Sequence, residues 1–300
     1  MDLKSLHVLI TGGNGMLASD LKKELEKENC KITSLDVEDL DICNEKAVHG
    51  KLAALKPDIL INCAAYTAVD KCETEQIAYE INGTALKYLS EASANNKIKL
   101  IHFSTDYIFS GDFKKPIPED WKPSPINKYG EGKLKGEENI LNTTGLDYLI
   151  LRVQWLYGTN GKNFIDTMLK LSKEKTELGV VNDQIGRPTS TPYLAQLIVA
   201  AIKNDLGGIY HLGPSDYCSW YDLAAYVLRN TNCKVKPIPS SAYPTPATRP
   251  LFSVLGLDKI NVALHGNPLL KKTWKELADE YLKATTYSSD NENGLEPPHR

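Results

Sequence analysis

Tyr129 and Lys133 stand four residues apart near the start of a segment with helical spacing, so their side chains share one helix face. A free tyrosine has a pKa of about 10 and is a poor proton donor at pH 7. We expect the Lys133 ammonium to lower the pKa of Tyr129 and make it a usable acid toward a carbonyl that receives hydride. Thr105 ends an earlier strand-like segment, and its hydroxyl would donate a hydrogen bond to the same oxygen. This set predicts reduction of a ketone or oxidation of an alcohol.

The elements that must position these residues alternate along the first half of the chain. Short apolar runs typical of strands are residues 7–10, 31–35, 59–63, 100–104 and 148–151. Segments with helical spacing lie between them, at 16–28, 44–55, 77–96 and 132–141. This alternation predicts an α/β fold, a Rossmann-type doubly wound parallel sheet with right-handed crossovers.

The pattern loosens after about residue 153. Helical spacing returns at 164–173, 193–204, 220–230 and 274–283, separated by stretches such as 236–250, where prolines argue against regular structure. We expect residues 1–155 to form a dinucleotide-binding domain, with sheet contributions from later segments. Residues 156–285 would form a smaller C-terminal substrate-binding lobe, partly interleaved with it. The polar tail, 286–300, is expected to be disordered.

The turn after the first strand has the glycine spacing of a dinucleotide-binding loop. It reads G-x-x-G-x-x-A from Gly12 to Ala18 and leads into a helix. Gly12 suits the tight turn, and Gly15 stands where the backbone must approach a pyrophosphate. The helix N-terminus supplies free N–H groups for the phosphates. The residues expected to contribute here are Gly12, Asn14, Gly15, Met16 and Leu17.

Asp36 stands at the end of the second strand, about 20 residues after the glycines, where a carboxylate binds the adenosine ribose hydroxyls. Such a carboxylate would repel the 2′-phosphate of NADPH, so of the two expected cofactors, NADH or NADPH, the sequence favours NADH. Asp41 and Ile42 would hold the adenine edge. Small residues after the third strand would let the backbone lie against the cofactor. The cofactor set is completed by Ala64, Ala65, Tyr66, Ser104, Tyr129 and Lys133.

Composition excludes several other classes of protein. The chain has 300 residues, 42% hydrophobic and 24% charged, close to the average of a soluble globular enzyme. Its net charge of −3 provides no basic surface for nucleic acid, and no apolar run is long enough for a membrane span. The six cysteines are scattered without C-x-x-C spacing, which indicates neither a zinc site nor a disulfide framework. With no room for a signal peptide before the first strand, a cytoplasmic protein is expected.

Longer motifs carry a resemblance to a known family. They lie at residues 64–70, 104–109, 152–158, 183–189 and 249–253. On these motifs the chain resembles the extended short-chain dehydrogenase/reductases, and within them the dTDP-4-dehydrorhamnose reductases, up to about residue 284. The resemblance implies hydride transfer from NADH or NADPH to the C4 ketone of a dTDP-linked 4-keto-6-deoxy sugar. It also implies that Thr105, Tyr129 and Lys133 are catalytic.

The resemblance implies a set of substrate contacts as well. Arg249 suits a diphosphate because its planar guanidinium bonds two oxygens at once, and Trp155 offers a flat apolar face to a sugar. Arg249 could instead pair with a carboxylate, and Trp155 could fill the lobe interface. The expected substrate-binding residues are Val69, Thr105, Asp106, Tyr107, Tyr129, Trp155, Arg187 and Arg249.

Some members of that family bind magnesium at a dimer interface through glutamates. One of those positions matches Asp20, but another matches Pro192, whose side chain cannot ligate a hard cation. We therefore predict no such metal site and expect a monomer or a weak homodimer.

Three other functions stay open at this point. A sugar-nucleotide dehydratase of this superfamily has Glu after the Thr-Asp pair, where this chain has Tyr107. An epimerase, or a reductase that forms dTDP-6-deoxy-L-talose, would keep the fold and the cofactor. A non-catalytic regulatory subunit resembling that of methionine adenosyltransferase would also keep a Tyr-Lys pair, although Thr105 and Asp106 favour an enzyme.

Overall fold

A six-stranded parallel sheet forms the centre of the computed structural model, which describes residues 2–292. Its strands are β1 (His7–Thr11), β2 (Lys31–Leu35), β3 (Ile59–Asn62), β4 (Lys99–Thr105), β5 (Tyr148–Val153) and β10 (Gly208–His211). The strand order is β10-β5-β4-β3-β1-β2, so the winding reverses between β1 and β3. Ligands bind outside the carboxyl ends of the strands at such a switch point. The predicted doubly wound α/β fold is confirmed.

The helices cover both faces of this sheet. They are α1 (Met16–Lys27), α2 (Glu45–Leu55), α3 (Gln76–Tyr79), α4 (Ala85–Asn96), α5 (Lys128–Leu141), α6 (Phe164–Glu174), α7 (Thr191–Lys203), α8 (Trp220–Val227), α9 (Asp258–Ala263) and α10 (Trp274–Glu292). Side chains alternate across β1, so that Val8 and Ile10 belong to the core shared with α1 and α7. Leu9 belongs to the other core, beneath α2 and α4. Burial on both faces explains the continuous apolar runs of the strands.

Helix α5 begins earlier than its spacing predicts. Asn127 caps it, because its side-chain oxygen accepts a hydrogen bond from the N–H of Gly130. The first turn therefore starts at Lys128 and includes Tyr129, whereas the sequence predicted a start at residue 132. Apolar spacing did not predict this turn, because it contains glycines at 130 and 132, which are poor helix formers.

The predicted helix 77–96 is interrupted by a π-helical turn. Residues Glu80–Thr84 form this turn between α3 and α4. Asn82, inside it, joins both backbone groups of Tyr66, accepting from its N–H at 2.9 Å and donating to its carbonyl at 2.8 Å. Such turns add a residue to a helix, and here the addition anchors the segment after β3.

The second half adds short paired strands. They are β6 (Leu156–Tyr157) with β9 (Thr189–Ser190), β7 (Glu177–Val181) with β12 (Lys234–Ile238), and β8 (Ile185–Gly186) with β11 (Cys218–Ser219). Strand β12 corrects the expectation that prolines exclude regular structure from residue 236 onward. Pro237 is tolerated because β12 pairs with β7 alone, which leaves its other edge free of partners. The division of the chain near residue 155 stays a prediction, although β10 does join the main sheet.

Helix α10 continues to Glu292. The expected disorder of residues 286–300 stays a prediction. The rest of that tail lies outside the described residues. Among the helices of the described chain, none combines the length and the apolar composition that crossing a membrane requires.

Candidate active site

A cavity of about 280 Å³ lies at the carboxyl ends of β1, β2 and β3. Gly12 lines it with a φ of +65°, and a Cβ at that position would lie 2.6 Å from the amide nitrogen of Ala64. Only glycine fits both the conformation and the close approach. Gly15 precedes α1 without any side-chain cap, which leaves the first-turn N–H groups available to an anion. Of the predicted cofactor residues, the cavity wall includes Gly12, Asn14, Gly15, Asp36, Asp41, Ile42, Ala64 and Ala65.

Asp36 holds the glycine turn against the end of β2. One carboxylate oxygen accepts from the N–H of Asn14 at 2.7 Å, and the other accepts from the N–H of Val37 at 2.8 Å. Each oxygen keeps a second lone pair, so the carboxylate can still accept from a ribose hydroxyl.

Three predicted cofactor residues have other roles for their side chains. The Tyr66 hydroxyl donates to Glu75, and Tyr66 does not line the cavity. The Leu17 side chain is buried in the core, and that of Met16 packs beside Gly158. Met16 and Leu17 can therefore bind phosphate only through their backbone N–H groups.

Ser104 has the geometry expected of a cofactor contact. Its hydroxyl is buried and finds no hydrogen-bond partner among the described residues. A buried hydroxyl without a partner is costly, and a ligand group would remove that cost. Together with the glycine turn and the open end of α1, this orphaned group fits a bound dinucleotide.

Lys133 lies buried between the cofactor cavity and the sheet. Its Nζ is 3.3 Å from Nε2 of His102. Burial lowers the pKa of Lys133 to about 8, against the opposing charges of Glu137 and Cys63. Burial, together with the Lys133 charge, also holds the pKa of His102 well below its usual value, so the imidazole is neutral. Cys63 itself lines the cofactor cavity.

The pKa of Tyr129 departs from the sequence-based expectation. Burial raises it, the Asp106 charge raises it further, and Lys133 has no resolved influence on it. Tyr129 thus keeps its proton at neutral pH and is a proton donor from the outset.

Thr105 lies beside Tyr129, within hydrogen-bonding reach of its phenol. The Thr105 hydroxyl donates to Oδ1 of Asp106 at 3.0 Å and accepts from the N–H of Tyr107 at 3.2 Å. Its single hydrogen is therefore directed at a carboxylate rather than at a substrate position.

Asp106 lies behind Thr105, with 1% of its surface exposed. Its Oδ2 accepts from Gln154 Nε2 at 3.0 Å and from the Ser253 hydroxyl. Burial raises the pKa of Asp106 to about 6 despite these hydrogen bonds. The expectation that Asp106 contacts substrate is wrong, because the side chain is sealed beneath the site.

A second cavity has a volume of about 510 Å³. Arg249 lines it, and its guanidinium carbon is 6.0 Å from the ring centroid of Tyr107. Tyr107 in turn meets Tyr129 edge to face, with ring centroids 5.6 Å apart. Arg249 also forms a salt bridge with Asp70 at 2.9 Å. Pairing with a carboxylate was the alternative that the sequence left open for Arg249. Val69 is half-buried beside Asp70 and does not line the cavity.

Most residues of this second cavity were missed by the sequence. They are Ser110, Asp112, Ile126, Gln184, Ser240, Ser241, Tyr243, Pro244, Thr245, Ala247, Thr248 and Leu251. Two signals pointed to them. The lining residues from 240 to 249 belong to the proline-bearing stretch 236–250, and Leu251 belongs to the motif at 249–253. Gln184 belongs to a motif from which Arg187 was chosen instead.

Residues 6–287 match the protein family described as "RmlD substrate binding domain". The chain belongs to this RmlD family. The predicted resemblance is thereby confirmed, and it covers nearly all of the described chain.

Relatives of this RmlD chain carry reductase names. It is 38% identical to the dTDP-4-dehydrorhamnose reductase of Escherichia coli, over 85% of this chain and 90% of that protein. A Clostridium acetobutylicum structure of the same name has a TM-score of 0.89 and 39% identity, covering 94% of this chain and 100% of that one. A Bacillus anthracis dTDP-4-dehydrorhamnose reductase in complex with NADP has a TM-score of 0.88 and 36% identity, covering 93% and 99%.

Arg187 does not reach a substrate position in this RmlD chain. It is 4% exposed, and its guanidinium donates to the carbonyls of Leu255, Pro214 and Asp216 at 2.8, 2.7 and 3.1 Å. These bonds use the donors of Nε and Nη1, and burial leaves little of the side chain for a substrate, so the structure gives no support to the expected contact. Arg187 joins three loops of the second half of the chain.

Trp155 packs against another tryptophan. Its ring stacks on Trp220, with centroids 3.6 Å apart and planes 9° from parallel. A Cβ on Gly186 would lie 2.5 Å from the Trp155 ring, so the indole also abuts that strand. This corrects the idea of an open indole face, since at least one face is covered. The residue has a φ of +46°, which is rare for a bulky side chain and is held by this packing.

The Asp20 carboxylate has partners within the chain. It accepts from the Thr191 hydroxyl at 2.6 Å and pairs with Lys23 at 3.0 Å. Pro192 stands in the first turn of α7. Elsewhere in the described chain, Glu45, His49 and Glu91 place ligand atoms within 4.8 Å of one another on α2 and α4.

Proposed function

We propose that this chain catalyses the NAD(P)H-dependent reduction of the C4 ketone of dTDP-4-dehydro-L-rhamnose to dTDP-L-rhamnose in nucleotide-sugar biosynthesis. The observation that carries the proposal is the position of the catalytic set. Lys133 interacts with Cys63 of the cofactor cavity, and Tyr129 meets Tyr107, whose ring faces Arg249 of the second cavity. A hydride donor in one cavity and a ketone at the mouth of the other would meet at Tyr129.

The protein's part in the reaction is proton supply and orientation. A bound nicotinamide supplies the hydride that adds to C4. Tyr129 then donates its phenolic proton to the C4 oxygen, and the phenolate recovers a proton from solvent. Burial raises the pKa of Tyr129, so the phenol holds its proton before the transfer. A raised pKa also makes it a weaker acid, so the driving force must come from the more basic alkoxide that forms at C4. Lys133 and the free N–H groups of α1 would hold the cofactor, and Ser104 would bond it.

Arg249 would bind the diphosphate of the nucleotide. The salt bridge to Asp70 holds the guanidinium at the cavity wall, and the Asp70 side chain is 42% exposed. An exposed carboxylate is a weak competitor for arginine, since surface ion pairs contribute only about 0–1 kcal/mol. A diphosphate could therefore replace Asp70 through a bidentate contact.

The competing functions share most of this site. A reductase forming dTDP-6-deoxy-L-talose would present the other ketone face, and an epimerase would retain its cofactor through the cycle. The names of the relatives favour a reductase over a non-catalytic subunit. A cytoplasmic enzyme that acts as a monomer or weak homodimer, without nucleic acid, completes the proposal.

The test is turnover of dTDP-4-dehydro-L-rhamnose with NADH and, separately, NADPH. We expect one cofactor oxidised per sugar reduced, with the product identified as the L-rhamno isomer by NMR. Tyr129→Phe should lower kcat by roughly 10²–10⁴-fold, the scale of a lost general acid. Tyr217→Phe, an exposed tyrosine, is the matched control. Interconversion of two sugars without net cofactor oxidation would instead establish an epimerase.

A further inference from the structure

The Thr105 hydroxyl has one hydrogen, and an ionised Asp106 is its strongest acceptor within reach, with Oγ1 and Oδ1 3.0 Å apart. Oγ1 of Thr105 also accepts from the N–H of Tyr107, so it already has one donor from the backbone. A ketone oxygen carries no hydrogen and needs Thr105 to donate. With an ionised Asp106, both acceptors compete for the same hydrogen, and the carboxylate is the stronger one.

A proton on Asp106 would reverse this arrangement without breaking any contact. Its Oδ2 already accepts from Gln154 and from Ser253, so the proton belongs on Oδ1, the oxygen that faces Thr105. Oδ1–H would donate to Oγ1, and the Thr105 hydrogen would be free to turn toward the ketone. Every polar group keeps a partner in both states, since a hydroxyl oxygen has two lone pairs.

We propose that Asp106 is a positioning residue whose protonation sets the direction of the Thr105 hydroxyl, and that hydride transfer is fast only when Asp106 is protonated. This inference rests on the proposed reductase function. The Asp106 carboxylate does not contact the substrate in this proposal. It controls whether Thr105 can donate a hydrogen bond to the substrate ketone.

Burial is the main influence on the ionisation of Asp106, because the groups around it are uncharged. Tyr107, on the same turn, and Tyr129, from α5, are phenols whose own pKa values are raised by burial, so both stay neutral. The residue after β5 is the uncharged Gln154, and residues 249–253 contribute the uncharged Ser253. The guanidinium of Arg249 faces the ring of Tyr107, and its salt bridge is to Asp70. The resulting rise of the Asp106 pKa to about 6 places the switch near neutral pH.

The sign of the pH dependence follows. As pH rises through about 6, Asp106 loses its proton and captures the Thr105 hydrogen. The rate of hydride transfer should fall about tenfold per pH unit above that point. The fall ends at the rate of hydride transfer that remains without the Thr105 hydrogen bond. That rate should be roughly 10²–10³-fold below the rate at low pH, the usual loss for one oxyanion contact.

Asp106→Asn is the decisive variant. Gln154 and Ser253 both donate to Oδ2, so they would orient the amide with its oxygen toward them and its NH₂ toward Thr105. That orientation imitates the protonated carboxylic acid. Single-turnover oxidation of NADH, with saturating dTDP-4-dehydro-L-rhamnose between pH 5.5 and 8.5, should be pH-dependent in wild type and flat in Asp106→Asn. Asp120→Asn, on the surface, should keep the wild-type profile.

Thr105→Val provides a second variant that does not alter the carboxylate. It should be slow at every pH and should lack the decline above pH 6, because no hydroxyl remains to be redirected. Persistence of the wild-type decline in either variant would overturn the inference, as would a flat wild-type profile. A wild type that oxidises neither NADH nor NADPH at any pH would instead refute the proposed function, and thus the two failures are distinguishable.

Discussion

Nζ of Lys133 and Nε2 of His102, 3.3 Å apart, end a buried chain of polar groups that begins at Thr11. The Thr11 hydroxyl donates to Oδ1 of Asn62 at 2.7 Å, and Nδ2 of Asn62 lies 3.1 Å from Nδ1 of His102. With the amide in this orientation, Nδ1 accepts and Nε2 carries the ring hydrogen. A hydrogen on Nε2 can be donated to Lys133 only when Lys133 is a neutral amine. A Lys133 ammonium instead needs Nε2 as an acceptor, which moves the ring hydrogen to Nδ1 and turns the Asn62 amide oxygen toward it. The charge of Lys133 is therefore coupled to the orientation of Asn62.

Cofactor affinity should weaken as Lys133 loses its charge. Burial lowers the pKa of Lys133 to about 8, so the side chain is cationic below that pH and neutral above it. The dissociation constant of NADH, measured by fluorescence titration, should rise between pH 7 and pH 9.5. Lys133→Met should bind weakly with no such pH dependence. An equally steep rise in that variant would assign the titration to another group.

The buried Asp106 carboxylate should make the protein less stable at neutral pH than at mildly acidic pH. Its pKa is raised from 3.8 in the unfolded chain to about 6 in the fold, so the folded state binds the proton more tightly. The stabilisation from that proton is complete below about pH 4 and is lost as pH rises through 6. Asp106→Asn should remove this loss and stabilise the protein at pH 7 by up to about 3 kcal/mol. Urea unfolding at pH 4.5 and pH 7 measures the difference, and a variant less stable at pH 7 would contradict it.

The ion pair of Arg152 and Glu137 should be essential to the placement of α5. Nε and Nη2 of Arg152 donate to the two carboxylate oxygens at 2.9 and 2.7 Å, and both side chains are at most 3% exposed. Removing one partner strands a buried charge, so Arg152→Met should cost about 3–5 kcal/mol in urea unfolding. Glu137→Gln in that background should recover part of the loss. Lys135→Met, from an exposed pair, is the control that should change stability little.

The glycine turn can be tested with two alanine substitutions. Gly12→Ala places a Cβ 2.6 Å from the Ala64 amide nitrogen in a left-handed conformation, so it should abolish NADH binding and lower the melting temperature. Gly50→Ala is matched to it, because a Cβ at Gly50 meets nothing within 4 Å in the middle of α2. That change should raise stability by about 0.5–1 kcal/mol. Unimpaired NADH binding by Gly12→Ala would remove the assigned role of the turn.

The strands of the sheet and the cofactor cavity could be predicted from local sequence. Continuous apolar runs indicate strands buried on both faces, and the glycine spacing indicates a dinucleotide-binding turn. Thr105 and the Tyr129–Lys133 pair could be found in the same way. The partners of Arg187 and Asp106 could not. Both depend on residues tens of positions away along the chain, and spacing carries no information about which buried groups meet.

The wall of the second cavity shows the same limit. Its residues come largely from 240–251, a stretch whose composition predicts only the lack of helix. Motif resemblance selected Arg187 and Trp155 because their side chains suit a nucleotide sugar. Their burial and stacking, which assign them to packing, depend on the folded chain.

The π-helical turn at Glu80–Thr84 makes this helix intolerant of length changes. Loss of one residue there would let the segment relax into an unbroken α-helix and would rotate α3 about 100° relative to α4. Asn82 would then leave the backbone of Tyr66, and the contact between Asn82 and Gly136 of α5 would be displaced. An alignment of related chains should accordingly show substitutions in this segment but no gaps.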